Sequence, residues 1–449
     1  MATGFHANAS GSNSINIATG AFVNASGAVG RNIAIGANTN ASGDGSSNVA
    51  IGFEANATGG VFSHNTAVGA FANANGVQSS AFGLSAGALG TASAAFGAGA
   101  QANGANSIAI GGNTNGPGHG AAFVDSTSSN GIAIGNLTGI TADSANSTAV
   151  GFNNGIAGTN SGAFGTGQTV IGNGSFGIGD PNTINGNGTF VLGDNNTVNG
   201  ASVPGRGDNI QVVGSNNTIA STASAAGSSV FGLGNAVNAT NAVVMGNTNT
   251  VTGASGIAIG NNVSVGGANA IAIGTGASAN FDNSTAIGNG ATTTRANQQV
   301  FGTASNTYTM GGITSATSRA AQSGPTQIVT SDASGNLATS SLAGLGLAST
   351  ADINSINSQI SSLNTRLNVL TNEARAGTAL ALATSGLHYD PRPGKASLAA
   401  AFGNYKGQSG VAVGFGYAFT DRFRVNGAFT GAPQVNDYGG VVGASWTLN

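Results

Sequence analysis

The side chains that could carry a reaction are few and far apart. Over residues 1–302 they are His6, His64 and His119 and eight scattered acids. Hydrolysis or group transfer needs a base, an acid or a metal held against a reacting group, and no such constellation is legible. Ser and Thr abound without a nearby His. Gly232-Leu233-Gly234 lacks the strand, helix and lysine context of a nucleotide site, and Lys395 is followed by Ala396 where a phosphate loop needs Ser or Thr. The chain has no cysteine, which excludes disulfides and thiolate metal ligands. The expectation is a protein that is not an enzyme, with no catalytic residue, cofactor or metal.

Binding chemistry offers more. Arg206-Gly207-Asp208 sits where the repeat described below lengthens, and an exposed RGD can offer its guanidinium and carboxylate to an integrin. A solvated turn in a Gly-rich chain is the preferred reading of the same residues. Basic residues before position 366 are limited to Arg31, Arg206, Arg295 and Arg319, so no basic stripe tracks a phosphate backbone and nucleic acid is not an expected partner.

The elements that would position these groups come from a repeat. An apolar residue followed by glycine ends a short strand pattern at Gly36, Gly52, Gly69, Gly83, Gly97 and Gly111, in steps of 16, 17, 14, 14 and 14, and again from Gly232 to Gly302 in steps of 14. In Ser93–Gly104, "SAAFGAGAQANG", a triplet strand, a glycine turn, a second strand of small residues and an Asn-Gly turn follow one another. Side chains alternate along a strand, so Ile108 and Ile110 share one face and Ala109 takes the other. One coil has too little apolar surface to fold alone, but stacked coils form a solenoid whose stability sums over neighbours. Glycine and asparagine are expected at corners that require positive φ, including the column Asn8, Asn24, Asn40 and Asn56. The Asn-x-Ser/Thr triplets there are read as products of the repeat and not as glycosylation sites. Loops are expected between Gly111 and Gly135 and between Gly193 and Gly214.

The period fails after Gly302, and residues 303–350 read as a neck of short strands and turns. From Asp352, which is expected to cap a helix, Ile353, Ile356, Ile360, Leu363, Leu367 and Leu370 follow steps of 3, 4, 3, 4 and 3, a heptad pattern. Ile and Leu mixed at both core positions weaken a dimer-specific reading. Residues 351–372 are therefore a short coiled-coil stalk. Residues 373–449 hold a helix-like segment, a turn and four alternating stretches. In the second stretch Val411, Val413, Phe415, Tyr417 and Phe419 oppose Gly410, Ala412, Gly414, Gly416 and Ala418. An apolar face opposed to a small one over about ten residues is the pattern of a membrane-spanning barrel strand. Four strands cannot close a barrel, and an open edge in lipid leaves backbone groups unpaired. Three chains giving twelve strands is the expected solution, with Gly410, Ala412, Gly414 and Gly416 facing the lumen.

The fold class is thus all-β with a short coiled coil: a trimeric parallel β-solenoid head over 1–302, a neck, a stalk and a C-terminal transmembrane β-barrel. "RAGTALALA" at 375–383, the run from Pro393 to Phe429, and "VGASW" at 442–446 resemble the YadA-type anchor, and the "SIAIG" coils resemble the YadA-type head. The resemblance implies a YadA-like trimeric autotransporter adhesin. Such a protein is a homotrimer anchored in the lipid of a bacterial outer membrane, placed there by the barrel assembly machinery, that exports its own head to the cell surface. It also implies adhesion to host matrix, and in such proteins collagen binding is linked to motifs like "NSIAIG" at Asn106, Ser107, Ile108, Ala109, Ile110 and Gly111. Structural use of these six residues is the preferred reading, because the solenoid demands the same ones.

Three departures accompany the resemblance, of which the very short stalk is one. Met1–Gly30 carries repeat sequence and no charged n-region or apolar h-region, so a surface protein of this kind is expected to be a fragment here or to have a misplaced start. The closing Trp446-Thr447-Leu448-Asn449 lacks a terminal aromatic, a change expected to affect recognition by the barrel assembly machinery. The competing class is a surface solenoid without a specific host ligand, serving autoaggregation. Ice binding would call for a Thr ladder at the 14-residue step, which is not expected here.

Overall fold

The computed structural model describes residues 1–112 and 120–448, in two compact units, Met1–Tyr308 and Thr309–Asn449. The first unit is the expected solenoid. Its three-residue strands stack into a 20-stranded parallel sheet, and two- and three-residue strands on the other side form a 13-stranded one. Each coil sits on its neighbour in exact column register: Ile108, Ala109 and Ile110 pair with Ile132, Ala133 and Ile134.

Alanine is the inside face. Ala95, Ala109 and Ala133 are fully buried, whereas Phe96 and Ile110 remain 39% and 38% exposed on the outside. Midway along the unit the interior widens, and Val124, Ile140, Ile156, Val170 and Ile184 replace alanine on the short strands. The large residues of the long strands therefore form an outward apolar ladder that runs through Phe82, Phe96, Ile110, Ile134 and on to Ile287 and Phe301.

Much of the remaining interior is polar and is satisfied in columns. Asn182, Asn196, Asn217 and Asn235 are buried, and each carboxamide oxygen accepts from the backbone N–H of the next coil: Asn182 from Asn196 at 3.0 Å, Asn196 from Asn217 at 3.1 Å, Asn217 from Asn235 at 2.9 Å and Asn235 from Asn249 at 3.0 Å. Their amide groups donate to glycine carbonyls, as Asn217 does to Gly232 at 2.9 Å. A parallel column of Ser147, Ser161, Ser175 and Thr189 works in the same way, each hydroxyl accepting from the next coil's backbone N–H at 3.1–3.2 Å. Buried polar groups are tolerated when paired, so a chain with little large apolar content still closes its interior.

Three expectations need correcting. Asn8, Asn24, Asn40 and Asn56 are not corner residues: they bridge one another in parallel as outward positions of the short-strand side. The positive-φ corners fall elsewhere, at Asn106, Asn130, Asn146 and Asn160 among others, with φ of 54–59°. A hydroxyl ladder is also present. Thr169, Thr183, Thr197 and Thr218 are stacked in register, and Thr250, Ser264 and Ser278 continue the column after Ala236. Thr169, Thr183 and Thr197 follow one another at the 14-residue step, the next two steps are 21 and 18 residues, and the 14-residue step then returns. Exposed strand positions favour such β-branched residues. Finally, Asp352 does not cap the helix. Ser349 does, and Asp352 lies three residues in as the other half of a capping box.

The closing glycines fit their place for two reasons. Gly111 has φ of 143°, and a Cβ there would lie 2.7 Å from the Gly135 carbonyl oxygen of the coil above. Of the loop expected between Gly111 and Gly135, residues 113–119, with His119, lie outside the described residues.

In the second unit, a one-turn helix Ala316–Ala320, absent from the sequence reading, is capped by the Ser315 hydroxyl, which accepts from Ser318 N. A hairpin follows, pairing Ile328–Ser331 with Leu337–Ser340. One helix, Thr350–Ser385, then runs unbroken through stalk and anchor residues alike. Four antiparallel strands, Ala396–Tyr405, Gln408–Ala418, Phe423–Ala432 and Asp437–Trp446, lie in sequence order in one sheet.

Candidate functional site: the anchor's inner face and the head ladders

The anchor sheet wraps the C-terminal part of its own helix. Ala376, Ala379, Leu380 and Ala383 are the helix residues that become buried, and small strand residues let them approach. A Cβ on Gly410 would lie 2.8 Å from Leu380 N, and one on Gly403 would lie 2.6 Å from Ala383 N. Along the second strand Gly410, Ala412, Gly414, Gly416 and Ala418 are buried while Val411, Val413 and Phe415 stay exposed. The alternation is complete over nine residues. Gly414 and Gly416 meet a different partner, the side chain of Tyr389 in the turn after the helix.

That turn is tied down at several points. Asp390 N donates to Ser397 Oγ at 3.1 Å, and Gly394 N to the Ala418 carbonyl at 2.8 Å. Arg392 forms an ion pair with Asp390, its Nη2 2.6 Å from Oδ2. The hydrogen bond from the Arg392 side chain, then that from its backbone N–H, holds the Asp390 carboxyl down at about 2. At the far end of the helix, hydrogen bonds from the Ser349 hydroxyl and backbone lower Asp352. The heptad residues Ile353, Ile356, Ile360, Leu363, Leu367 and Leu370 are all half exposed on the single chain.

In the head, Asn106–Gly111 is part of the stack. Ser107 is buried with Oγ donating to the Gly104 carbonyl at 2.6 Å, and Ala109 faces inward. Asn106 and Ile110 are the exposed members. Asn106 begins an amide ladder, donating to Asn130 at 3.2 Å, which donates to Asn146 and it in turn to Asn160. The Arg206-Gly207-Asp208 segment does not project. Gly207 is buried, its carbonyl accepting from Thr189 Oγ1 at 2.6 Å, and Asp208 Oδ1 accepts from Asn187 N of the previous coil at 2.8 Å. The neighbouring coils carry Asn173 and Asn187 in the same role, so Asp208 continues a corner column.

His6 stands at a corner beside the rings of Phe5 and Phe22, and His64 bonds its own neighbour's carbonyl. Among the described residues no three His, Asp or Glu side chains converge as a metal site, and no helix is long and apolar enough to cross a membrane, which says nothing of a barrel. Tyr389 was missed by sequence reasoning: a single tyrosine in a turn has no periodicity to mark it.

A repetitive solenoid, a heptad helix and a four-stranded sheet with one apolar and one small-residue face follow one another along the chain. Residues 388–448 match the YadA-like membrane anchor domain, and residues 33–47, 66–86, 88–114, 238–262 and 266–291 match the YadA head domain repeat. The C-terminal domain is thus similar to the YadA-like membrane anchor and the head carries YadA-type repeats, matches that support a YadA-like trimeric autotransporter adhesin. The chain is 40% identical over 94 residues to the autotransporter adhesin BtaF of Brucella suis biovar 1, covering 20% of this chain and 32% of that one. It is 38% identical over 77 residues to BtaE of the same organism, covering 17% and 10%. The chain therefore spans about a third and a tenth of those relatives. The collagen-binding domain of the Yersinia adhesin YadA is 20% identical over 46% of this chain and 86% of that structure, with a TM-score of 0.18. The family places the C-terminal domain in the outer membrane with the head exposed at the surface, and it implies a non-enzymatic role.

Proposed function

We propose that three copies of this chain form a surface adhesin. The four-stranded sheet with one apolar and one small-residue face carries the reading. Three such sheets close a twelve-stranded barrel whose outer face meets lipid and whose lumen, lined by Gly410, Ala412, Gly414 and Gly416, holds three helices. The heptad residues pack between the copies as a short stalk, and the outward apolar ladder of the long strands gives the heads a contact face. The barrel is inserted by the outer-membrane assembly machinery and passes its own head outward. The head then attaches the cell to host matrix, collagen included, or to cells and surfaces, by a display of repeated amides and hydroxyls with no catalysis.

Cells displaying the full chain behind a signal segment test this. Binding to immobilised collagen, fibronectin or laminin, lost when the head is removed by protease, is expected. A chain that extracts from the membrane as a monomer would overturn the trimer. Retention of all binding by Asp208→Ala is also expected, since that carboxylate already serves the corner column. Settling of cells with no binding to any matrix protein would favour autoaggregation, a reading suited to the repeated amide and hydroxyl columns.

A further inference from the structure

The helix ends at Ser385, short of the last two lumen-face glycines of the second strand. Gly403 and Gly410 are small because the helix backbone lies on them. Gly414 and Gly416 lie beyond its reach, and the hollow above them is filled by Tyr389. A Cβ on Gly416 would stand 2.6–3.0 Å from the Tyr389 Cδ1, Cγ and Cβ atoms, and one on Gly414 would overlap the Tyr389 hydroxyl outright. The ring is held there by its neighbours: Asp390 N on Ser397 and the Asp390–Arg392 pair on one side, and the Gly394 to Ala418 hydrogen bond further along. The hydroxyl oxygen is buried and has no hydrogen-bond partner, so what the site uses is the ring and not its polar end.

We propose that Tyr389 is the seal of the anchor, an aromatic plug seated in the Gly414–Gly416 cradle that closes the lumen to water and small ions beyond the helix end. The proposal rests on the barrel reading above. It gives the two glycines a different reason to be small: they seat a fixed ring in the finished protein. A lumen kept wide for passage would require the same glycines but would be indifferent to residue 389.

The test uses the full chain, assembled in outer membranes, purified as the heat-resistant species and placed in planar lipid bilayers. The native protein and Tyr389→Phe are expected to stay closed, and Tyr389→Ala to show steady conductance several-fold above them. If Tyr389→Ala does not assemble, Tyr389→Leu, which covers Gly416 without reaching Gly414, carries the same reading. Gly414→Ala is expected to lower the heat resistance of the trimer, and the double variant Gly414→Ala/Tyr389→Ala to regain it, because the clash is then gone. Native-level conductance from whichever of Tyr389→Ala and Tyr389→Leu assembles, or a double variant no better than Gly414→Ala alone, overturns the seal. Absence of any trimer from the native chain would instead sink the barrel itself.

Discussion

Head and anchor both leave apolar side chains uncovered on the single chain, yet for opposite reasons. In the head the interior is already closed: alanines meet across it, and buried asparagines pair with the next coil. The outward Ile and Phe ladder is surplus. In the anchor the exposed face of Val411, Val413 and Phe415 belongs to an open sheet whose first and last strands each have one free edge. Lipid does not tolerate such edges. In the proposed trimer, assembly is therefore a condition of existence for the anchor and an addition for the head.

The sharpest way to break this contrast is a charge on the lipid side. Val413→Arg at mid-strand is expected to cost about 2–4 kcal/mol per chain at the bilayer midplane and to abolish the proposed trimer in detergent, while circular dichroism of the head stays unchanged. A damaged head spectrum would show that the two regions are not independent. Next in size is Asn217→Ala. It strips partners from Asn235 N and the Gly232 carbonyl deep in the stack, with an expected cost of about 1–3 kcal/mol. Thermal melting should drop for the head while the trimer persists.

A smaller effect is expected at the helix start. Ser349→Ala removes the hydroxyl that accepts from Asp352 N at 3.2 Å and donates to its carboxylate at 2.7 Å, a loss of about 1 kcal/mol, seen as earlier exchange of amide hydrogens in the first helical turn. The smallest concerns acid. Asp390 is held below the ordinary carboxylate range, so its bond to Arg392 is fully present above that range, about pH 4, and is lost only as pH falls through about 2. Trimer heat resistance should hold at pH 4. Asp390→Asn should remove whatever loss appears toward pH 2.

The regularity of the chain made some of this readable and hid the rest. Strands ending at Gly97 and Gly111 announce their stacking because each coil repeats the same triplet. The same repetition conceals direction: Ala109 and Ile110 are both apolar, and spacing alone does not say which is inside. Asn8 and Asn24 recur with the period whether they sit at a corner or on a strand, so the column was visible and its place was not. Thr169, Thr183 and Thr197 do follow the 14-residue step, but their column is short and is interrupted at Ala236, so it stands out little in a chain rich in threonine. The anchor was the more legible region, because apolar and small residues differ enough to sort the two faces of Gln408–Ala418. Asp208 shows the limit of a motif: three letters carry no depth, and its carboxylate turned out to serve the neighbouring coil.

The in-register columns have a further consequence. A coil whose hydrogen bonds run within itself or to the coils above and below can be added or removed without redesigning the rest. With strands about 4.8 Å apart, the 20-stranded sheet sets a reach of roughly 95 Å, adjustable in single increments. The head is in that sense a measuring rod, and gaining or losing one 14-residue unit would change its own length without changing what each coil presents.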